Sequence, residues 1–352
     1  MNIAVSPKAA ARFPSPAGEE KYLDNEQELF EKFAKKIQTY QRKDAEKGER
    51  LRGFHAKIHL GLAGEFRILP DLPEYARQGV FLEPRVFPAV VRFSNGDSRR
   101  NKDINREPRG IAIKLIGVAG RKLLKGRENE VTQDFLATSH SVTSVVKNVK
   151  QFMAFVEAHR HFFWPVILPF TLGPFEMIRI LIGLKHTVLD SNVRSMATEH
   201  YSSTAPIMFG PYAVKFTIRP SEGGTAPPAY PSTDKNFLRE ELAHRLKAAD
   251  LVFDFLVQFY VDDERTPIED TSVPWRPEDT PPLKVAELRI PRGELDDCTT
   301  TVDKLSFSPW HAIEDHRPLG NIMRARRFAY EASAAVRDAG KPEPTEPPCH
   351  LR

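Results

Sequence analysis

Three side chains near the carboxyl end of the chain, Arg326, Tyr330 and Arg337, are spaced as if they share one face of a helix. They lie four and seven residues apart, which is about one and two helical turns. A positive charge one turn from a phenol favours the ionised form of that phenol. A phenolate is one of the few axial ligands that proteins offer to haem iron, so this stripe could serve such a metal.

The same stretch also fits an amphipathic surface helix with a half-buried tyrosine, and the spacing alone favours that simpler interpretation. Asn321 is a candidate N-cap, and Gly340 followed by Pro342 predicts the end of the helix. Ser333 and Ala334 are small, which would let a flat ring lie against the helix.

Two strand-like fragments carry further candidate residues. In "RGFHAK", Arg52 precedes His55 by three residues, at the expected start of a strand. In "VVRFSN", Arg92 and Ser94 are two residues apart and therefore share one strand face. A serine beside a histidine can hold the imidazole in one tautomer. The alternative is that all four residues are ordinary exposed strand residues, and Asp103 in the following turn is expected to be a surface charge.

The composition is that of a soluble globular protein, with 352 residues, 41% of them hydrophobic and 28% charged. The net charge of +4 and the absence of a dense basic run argue against a nucleic-acid partner. The first residues lack the long apolar core of a secretory signal. The two cysteines, Cys298 and Cys349, are far apart, so we expect no disulfide framework and a cytoplasmic location.

The elements that must position these residues are short strands followed by helices. Residues 1–49 are expected to form an arm and an amphipathic helix, 50–340 one domain, and 341–352 a proline-rich tail. An apolar helical insertion is expected at about 141–188. The strand pattern of the rest predicts an antiparallel β-barrel or sandwich with helices packed around it, of the α+β class.

Five fragments resemble the haem catalases: "RGFHAK", "VVRFSN", "REPRGIAIKL", "TQDF" and "RRFAY…VR" occur in the order found in that family. Each is weak alone, but their combination is specific, and the resemblance runs from about residue 50 to residue 340. Because the chain is short for a catalase, it looks similar to the minimal catalase-related branch. The resemblance implies a catalase-like antiparallel β-barrel, of the α+β class, that binds b-type haem.

The resemblance assigns the helix near the carboxyl end to the proximal side of the haem. Tyr330 matches the iron ligand, and Arg326 matches the arginine that keeps its phenolate ionised. The arginines that match partners of the haem propionates are Arg52, Arg92 and Arg337. Guanidinium groups suit carboxylates because they can donate two parallel hydrogen bonds.

On the distal side, His55 matches the catalytic histidine, Ser94 matches the serine that orients it, and Phe135 falls on a pocket phenylalanine. The family's distal asparagine has no clear counterpart. In "NEVTQDF", Glu130 aligns with it and Asn129 lies one residue earlier, so either residue could occupy the pocket. The alternative is that Glu130 points outward at the start of a strand.

The implied chemistry is peroxide activation, in which His55 moves a proton between the two peroxide oxygens as their bond breaks. We expect a haem-dependent peroxidase related to catalases that acts on organic or lipid hydroperoxides and also accepts hydrogen peroxide. Phe54, directly before His55, is bulkier than usual for a catalase. The alternatives are an isomerase or dehydratase of fatty-acid hydroperoxides and a non-enzymatic barrel that binds haem or lipid.

The segment 161–186 is the most apolar part of the chain, but its charges and prolines argue against a membrane span. We favour a buried helical hairpin. The alternative is peripheral contact with a membrane, which would suit a lipid hydroperoxide and would make the protein membrane-associated. The sequence leaves open whether the protein forms a homo-oligomer.

Overall fold

A computed structural model describes most of the chain. The described residues are 13–46, 52–139, 145–159, 172–185, 192–203, 205–221, 234, 237–293, 298–337 and 343–348. All structural statements below concern these residues.

The centre of the molecule is a closed antiparallel barrel. Its nine strands are β1 Ile58–Ile68, β2 Val86–Asn95, β3 Arg109–Ile116, β4 Thr132–Thr138, β5 Tyr201–Ser202, β6 Ile207–Phe209, β7 Tyr212–Pro220, β8 Leu251–Phe259 and β9 Leu283–Ile290. They pair in the order β5-β4-β3-β2-β1-β9-β8-β7, and pairing of β5 with β7 closes this ring of eight. Strand β6 pairs with β7 outside the ring.

The inner face of the barrel is filled by aromatic side chains. Phe66, Phe135 and Phe255 lie at its centre with ring centroids 5.2–6.1 Å apart. Because side chains alternate along a strand, the residues between them point outward. The outer face of β2, β3 and β4 therefore carries a second set of side chains, and the helices pack against it.

Six α-helices surround the barrel: α1 Glu26–Ala45, α2 Val149–His159, α3 Pro174–Leu184, α4 Phe237–Ala248, α5 Thr299–Lys304 and α6 Asn321–Arg337. Helices α1 and α6 pack against each other through Phe30, Phe33 and Ala329. Short helix α5 covers the outer face of β1, where Val302 lies against Gly61. The prediction of an antiparallel β-barrel of the α+β class with surrounding helices is confirmed.

The start of α6 differs from the prediction. The side chain of Asn321 does not cap its own helix; its Oδ1 instead accepts a hydrogen bond of 2.8 Å from the backbone N–H of Val149, at the start of α2. Its Nδ2 donates to Glu26 of α1. Asn321 therefore ties three helices together, which places α6 relative to the layer around it.

The apolar segment near residues 161–186 lies partly outside the described residues. Its described part contains α3, which buries Met177, Ile180 and Leu184 against Val145 and Val146. Within the described part of the chain, no helix is long and apolar enough to cross a bilayer.

Two expectations about single residues were wrong. Asp103 is not a surface charge: it is 2% exposed, forms an ion pair with Lys57 and accepts the backbone N–H of Leu238 at the start of α4. Cys298 is buried and disulfide-bonded, so the expectation that the chain lacks disulfides fails. Neither outcome follows from spacing along the chain, because both depend on tertiary contacts.

Candidate functional site

A cavity lies between the outer face of the barrel and helix α6. Its free space is about 80 Å³, and the cavity is partly open to solvent. The cavity is lined by residues that the sequence predicted to share a site: Arg52, His55, Arg92, Ser94, Arg326, Tyr330 and Arg337. These residues come from three separate parts of the chain, and the fold brings them to one place.

His55 is not on strand β1 but in the loop that precedes it. This loop is held beside the end of β2, where the backbone N–H of Ala56 donates to Asp97 and that of Asn95 donates to Lys57. His55 itself has φ 57°, the left-handed region that residues other than glycine rarely adopt. A guanidinium N–H of Arg92 donates to the backbone carbonyl of His55 at 2.9 Å, which holds the strained residue in place.

The imidazole of His55 is held in one orientation. Its Nδ1 lies 2.5 Å from the carbonyl oxygen of Asn95 and 3.3 Å from Oγ of Ser94. A carbonyl only accepts hydrogen bonds, so Nδ1 carries the proton and Nε2 is left with its lone pair. Burial, followed by the charge of Arg92, lowers the pKa of His55 to about 3. The ring is therefore a neutral base at physiological pH.

The opposite wall of the cavity is the face of α6 that carries Tyr330. A guanidinium N–H of Arg326 donates to the phenol oxygen of Tyr330 at 2.7 Å. The hydrogen bond places a cation directly on the phenol oxygen. Helix α6 is fixed here because Oγ of Ser333 accepts a hydrogen bond of 3.0 Å from Gln41 of α1.

One end of the cavity is a cluster of three buried arginines around a single carboxylate. Arg52 and Arg337 donate to the backbone carbonyl of Asp303, at 2.9 and 3.2 Å, and Arg92 donates to its carboxylate at 3.1 Å. Burial, followed by repulsion from Arg52, lowers the pKa of Arg92 and of Arg337 to about 9. The cluster thus has an excess of positive charge.

The arginine cluster also has unused donors. The Nε atoms of Arg92 and Arg337 are buried and have no hydrogen-bond partner, and the Nε of Arg52 has only the carboxylate of Asp303, 3.6 Å away. Leaving buried charged donors unpaired is unfavourable, so this end of the cavity is suited to a ligand with carboxylate groups.

Small residues give the cavity two flat walls. On the barrel side Gly110 and Ala112 stand between larger residues of β3, and on the helix side Ala329, Ser333 and Ala334 flank Tyr330. A planar molecule with carboxylates at one edge would suit these walls, with Tyr330 on the helix side and His55 on the barrel side. Haem has such a shape and such groups.

Several residues of the site were not predicted from the sequence. Asp303, which pairs with Arg92, follows no motif. Ile37 lines the cavity from α1, a helix that was predicted from its amphipathic pattern but was not assigned to the site. Gly110 and Thr138 lie on neighbouring strands beside His55. The motif "RGIAIKL" did contain Gly110, and a glycine leading into a strand was the available signal.

The placement of Phe135 in the haem pocket was wrong. Phe135 is 2% exposed and packs inside the barrel against Phe66 and Phe216. Its strand neighbours Leu136 and Thr138 point outward into the cavity instead. Strand alternation explains the error, because a shift of one residue moves a side chain to the other face.

Neither Asn129 nor Glu130 occupies the cavity. Asn129 is exposed in a turn, and Glu130 lies outside the barrel, 3.0 Å from Nε2 of His311. Glu130, His311 and Glu343 place three potential metal ligands within 4.8 Å of one another. Lys114 pairs with Glu343 at 2.7 Å, so this carboxylate is already neutralised by a cation. The expected distal amide is thus missing from the lining.

Comparison with known proteins supports the fold. No protein-family model matches the sequence, and no curated protein is similar to it. Among solved structures, a fungal catalase and catalase A from Saccharomyces cerevisiae are similar, each with a TM-score of 0.64, at 15% and 14% sequence identity. Each match covers 82% of this chain, but 59% and 61% of the catalases.

A bacterial catalase is similar over 99% of this chain and 67% of its own length, with a TM-score of 0.63 and 17% identity. The chain therefore spans about three-fifths of the length of the two eukaryotic catalases. At such low identity the similarity establishes architecture alone. The described chain has a catalase-like fold, a barrel with surrounding helices.

Proposed function

We propose that this protein is a haem-dependent enzyme that activates peroxides, and that its substrates are organic or lipid hydroperoxides. The observation that carries the proposal is the pairing of Tyr330 with Arg326 in the same cavity that His55 lines. Surface residues on an ordinary helix would not meet a strained, tautomer-fixed histidine in an enclosed space.

Each wall of the cavity has a separate task. Tyr330 would ligate the iron as a phenolate stabilised by Arg326, and the arginine cluster would hold the propionates. When bound, haem would supply a redox-active iron that donates electrons to the hydroperoxide as its O–O bond breaks. Nε2 of His55 accepts the proton of a hydroperoxide O–H and returns it to the leaving oxygen, which departs as an alcohol or water.

Apolar side chains support a substrate larger than hydrogen peroxide. Phe54, Ile37 and Phe307 line the cavity, and Phe54 packs 6.1 Å from Phe152 of α2. A carboxamide beside His55, the group expected from the resemblance, is absent from the lining residues. An apolar lining favours the hydrocarbon part of a lipid hydroperoxide.

The alternative of a non-enzymatic haem- or lipid-binding barrel required His55 to point away from the cavity or Phe54 to block it. His55 faces the cavity, and Phe54 lies at its edge against Phe152. An isomerase or dehydratase would use the same residues without an external reductant. Its products, rather than its site, distinguish it from a peroxidase.

The test is reconstitution of the purified protein with haem, for the wild type, Tyr330→Phe and Tyr212→Phe. We expect a ferric tyrosinate absorption spectrum in the wild type and in Tyr212→Phe, whose tyrosine packs on Phe259 of the barrel. Tyr330→Phe should lose it. Failure of the wild type to bind haem, or an unchanged Tyr330→Phe spectrum, would overturn the proposal.

Turnover then identifies the substrate. We expect the wild type to consume a fatty-acid hydroperoxide faster than hydrogen peroxide. An alcohol formed with oxidation of an added reductant indicates a peroxidase, whereas an epoxide or ketone formed without reductant indicates the isomerase. Rapid oxygen release from hydrogen peroxide, with no reaction of the lipid, would refute the proposed substrate class.

A further inference from the structure

A row of three paired residues crosses the barrel wall of the cavity. Ser94 of β2 pairs with Gly110 of β3, and Gly110 pairs with Thr138 of β4. Directly paired residues on neighbouring antiparallel strands present their side chains to the same face of the sheet. The hydroxyls of Ser94 and Thr138 therefore flank Gly110 on its two sides, and both residues line the cavity.

His55 lies over the middle of this row. A Cβ added to Gly110 would be 2.5 Å from Nδ1 and 2.7 Å from Cε1 of His55, and 2.8 Å from Oγ of Ser94. The imidazole thus occupies the space that a side chain at Gly110 would fill. Ser94 is on one side of the imidazole, and Thr138 is on the other.

The two hydroxyls differ in their hydrogen bonding. Oγ of Ser94 lies near Nδ1 of His55, but Oγ1 of Thr138 is buried and has no hydrogen-bond partner among the described residues. The next residue, Ser139, accepts the backbone N–H of Arg109. A buried hydroxyl without a partner is unfavourable, and in a ligand cavity it marks a position where a ligand can complete the bond.

We infer that the hydroxyl of Thr138 is the second polar contact for the peroxide group, beside Nε2 of His55. It would donate a hydrogen bond to the peroxide oxygen that has no proton, while His55 accepts from the oxygen that has one. Thr138 takes the place of the amide that the sequence resemblance assigned to Asn129 or Glu130. This inference rests on the proposed function, because it needs a haem in the cavity.

The test compares Thr138→Val, which keeps the shape and removes the hydroxyl, with Thr138→Ser, which keeps the hydroxyl. Thr217→Val, on β7 beside Ser202, is the matched control. In the haem-loaded proteins we measure the dissociation constant of cyanide and the KM and kcat for a hydroperoxide. We expect Thr138→Val to weaken cyanide binding and raise KM by about five- to tenfold, the effect of losing one hydrogen bond. The other two variants should match the wild type.

A third readout needs no haem. Because the hydroxyl of Thr138 has no partner among the described residues, Thr138→Val should leave the Tm of the haem-free protein unchanged or raise it. A lower Tm would mean that the hydroxyl is structural, and would overturn the inference. The inference would also be overturned if haem-loaded Thr138→Val bound cyanide as tightly as the wild type does. That outcome would leave the proposed function intact. A wild type that binds no haem overturns both.

A second, independent observation concerns the outer face of α3. Phe175, Ile178 and Ile182 are 87%, 55% and 54% exposed, and their spacing puts them on one face of the helix. The opposite face is firmly packed, since Ile180 and Leu184 are buried beside Val145 and Ile322. The exposed side chains therefore stand on an anchored helix.

Basic side chains border this apolar face. Arg179 lies at one edge and Lys185 at the other. Arg179 and Lys147 share the carboxylate of Glu176, so that edge retains a net positive charge. An apolar face with flanking cations is typical of helices that lie in a membrane interface.

We propose that α3 seats this protein on an anionic lipid bilayer, where a lipid hydroperoxide would be found. The test is flotation with vesicles of phosphatidylcholine and phosphatidylglycerol. We expect the wild type to float, and the double variant Phe175→Ser/Ile178→Ser to bind more than about tenfold more weakly, since it removes two large apolar groups. The control, Leu82→Ser/Ile104→Ser, alters two side chains of similar exposure elsewhere.

Two results would contradict the proposal. One is a wild type that stays unbound with anionic vesicles. The other is a wild-type dimer that becomes monomeric in Phe175→Ser/Ile178→Ser, because a second copy of the chain would then cover the face.

Discussion

Gly110 lies directly beneath the imidazole of His55, so closely that a Cβ added to it would be 2.5 Å from Nδ1. This contact explains why the position that leads into β3 must lack a side chain. Three contacts fix the histidine. The carbonyl of Asn95 binds the imidazole, Arg92 donates to the backbone carbonyl of His55, and the backbone of Gly110 lies against the ring.

Gly110→Ala should therefore displace His55 without affecting the arginine cluster. We expect haem uptake to persist and hydroperoxide turnover to fall about 100-fold, a loss typical of a catalytic group moved by about 1 Å. Absorption titration with haem and steady-state kinetics measure the two quantities. Gly126→Ala is the control: it has φ 78° but no atom within 4 Å of the added Cβ, so it should reduce stability and leave turnover unchanged. Wild-type turnover in Gly110→Ala would show that His55 tolerates the shift.

The pH dependence of activity should reflect a histidine that stays neutral. Burial, followed by the charge of Arg92, lowers the pKa of His55 to about 3, far below the ordinary value of 6.5. Proton acceptance by Nε2 should therefore continue at acidic pH. We expect turnover of the hydroperoxide to be flat between about pH 8 and pH 5, measured in buffers of constant ionic strength. An inflection near pH 6.5 would mean that His55 titrates as an exposed histidine.

The same shift predicts a loss of stability in acid. Below pH 6.5 the unfolded chain binds a proton at His55 that the folded protein resists down to about pH 3, so the free energy of unfolding falls as pH falls through this window. Between pH 7.5 and pH 5, the free energy of unfolding of His55→Gln should therefore fall by about 1–2 kcal/mol less than that of the wild type. Urea unfolding of the haem-free proteins measures this difference. His200→Gln, at an exposed histidine, should behave like the wild type.

The sequence predicted those parts of the site that depend on local periodicity. The helical spacing of Arg326, Tyr330 and Arg337 places all three on the cavity, and strand alternation does the same for Arg92 and Ser94. In each case a single element with a known repeat determines which side chains share a face, so no tertiary information is needed.

The errors arose where a face or a partner depends on another element. Phe135 was assigned to the wrong side of β4 because only its register with β3 decides which residues point outward. Asp303 and Thr138 carry no motif, and they matter because folding brings them beside Arg92 and Gly110. Such positions become visible only once the strands are paired.

Asp303 is the single carboxylate inside the arginine cluster, and its removal should affect the haem-free protein most. Asp303→Ala leaves three buried guanidinium groups without a counter-charge. Because Asp303 is itself 32% exposed, we expect a loss of about 1–3 kcal/mol of unfolding free energy. Added haem should recover most of this loss, since its propionates supply negative charge. Urea unfolding with and without haem tests both statements. An equal loss of unfolding free energy in the two states would mean that the arginine cluster does not bind the cofactor.

The carboxyl-terminal tail is attached to the outer face of the barrel by Glu343. Its carboxylate pairs with Lys114 at 2.7 Å and with Arg127 at 2.5 Å, and its side chain is 4% exposed. Burial opposes its ionisation, but Lys114 and the other nearby cations hold the pKa of Glu343 below its ordinary value.

Glu343→Gln should therefore destabilise the protein by about 2–4 kcal/mol, because Lys114 is fully buried and would keep only Asp134 as a counter-charge. Glu346→Gln, three residues later at an exposed position, should change the free energy of unfolding by less than about 0.5 kcal/mol. Lys114 lies 5.3 Å from the ring of Phe307, which lines the cavity, so Glu343→Gln should also weaken haem binding if the tail supports that wall. Urea unfolding and haem titration of both variants measure these effects. Equal stability of the two variants would mean that the tail is not attached through Glu343.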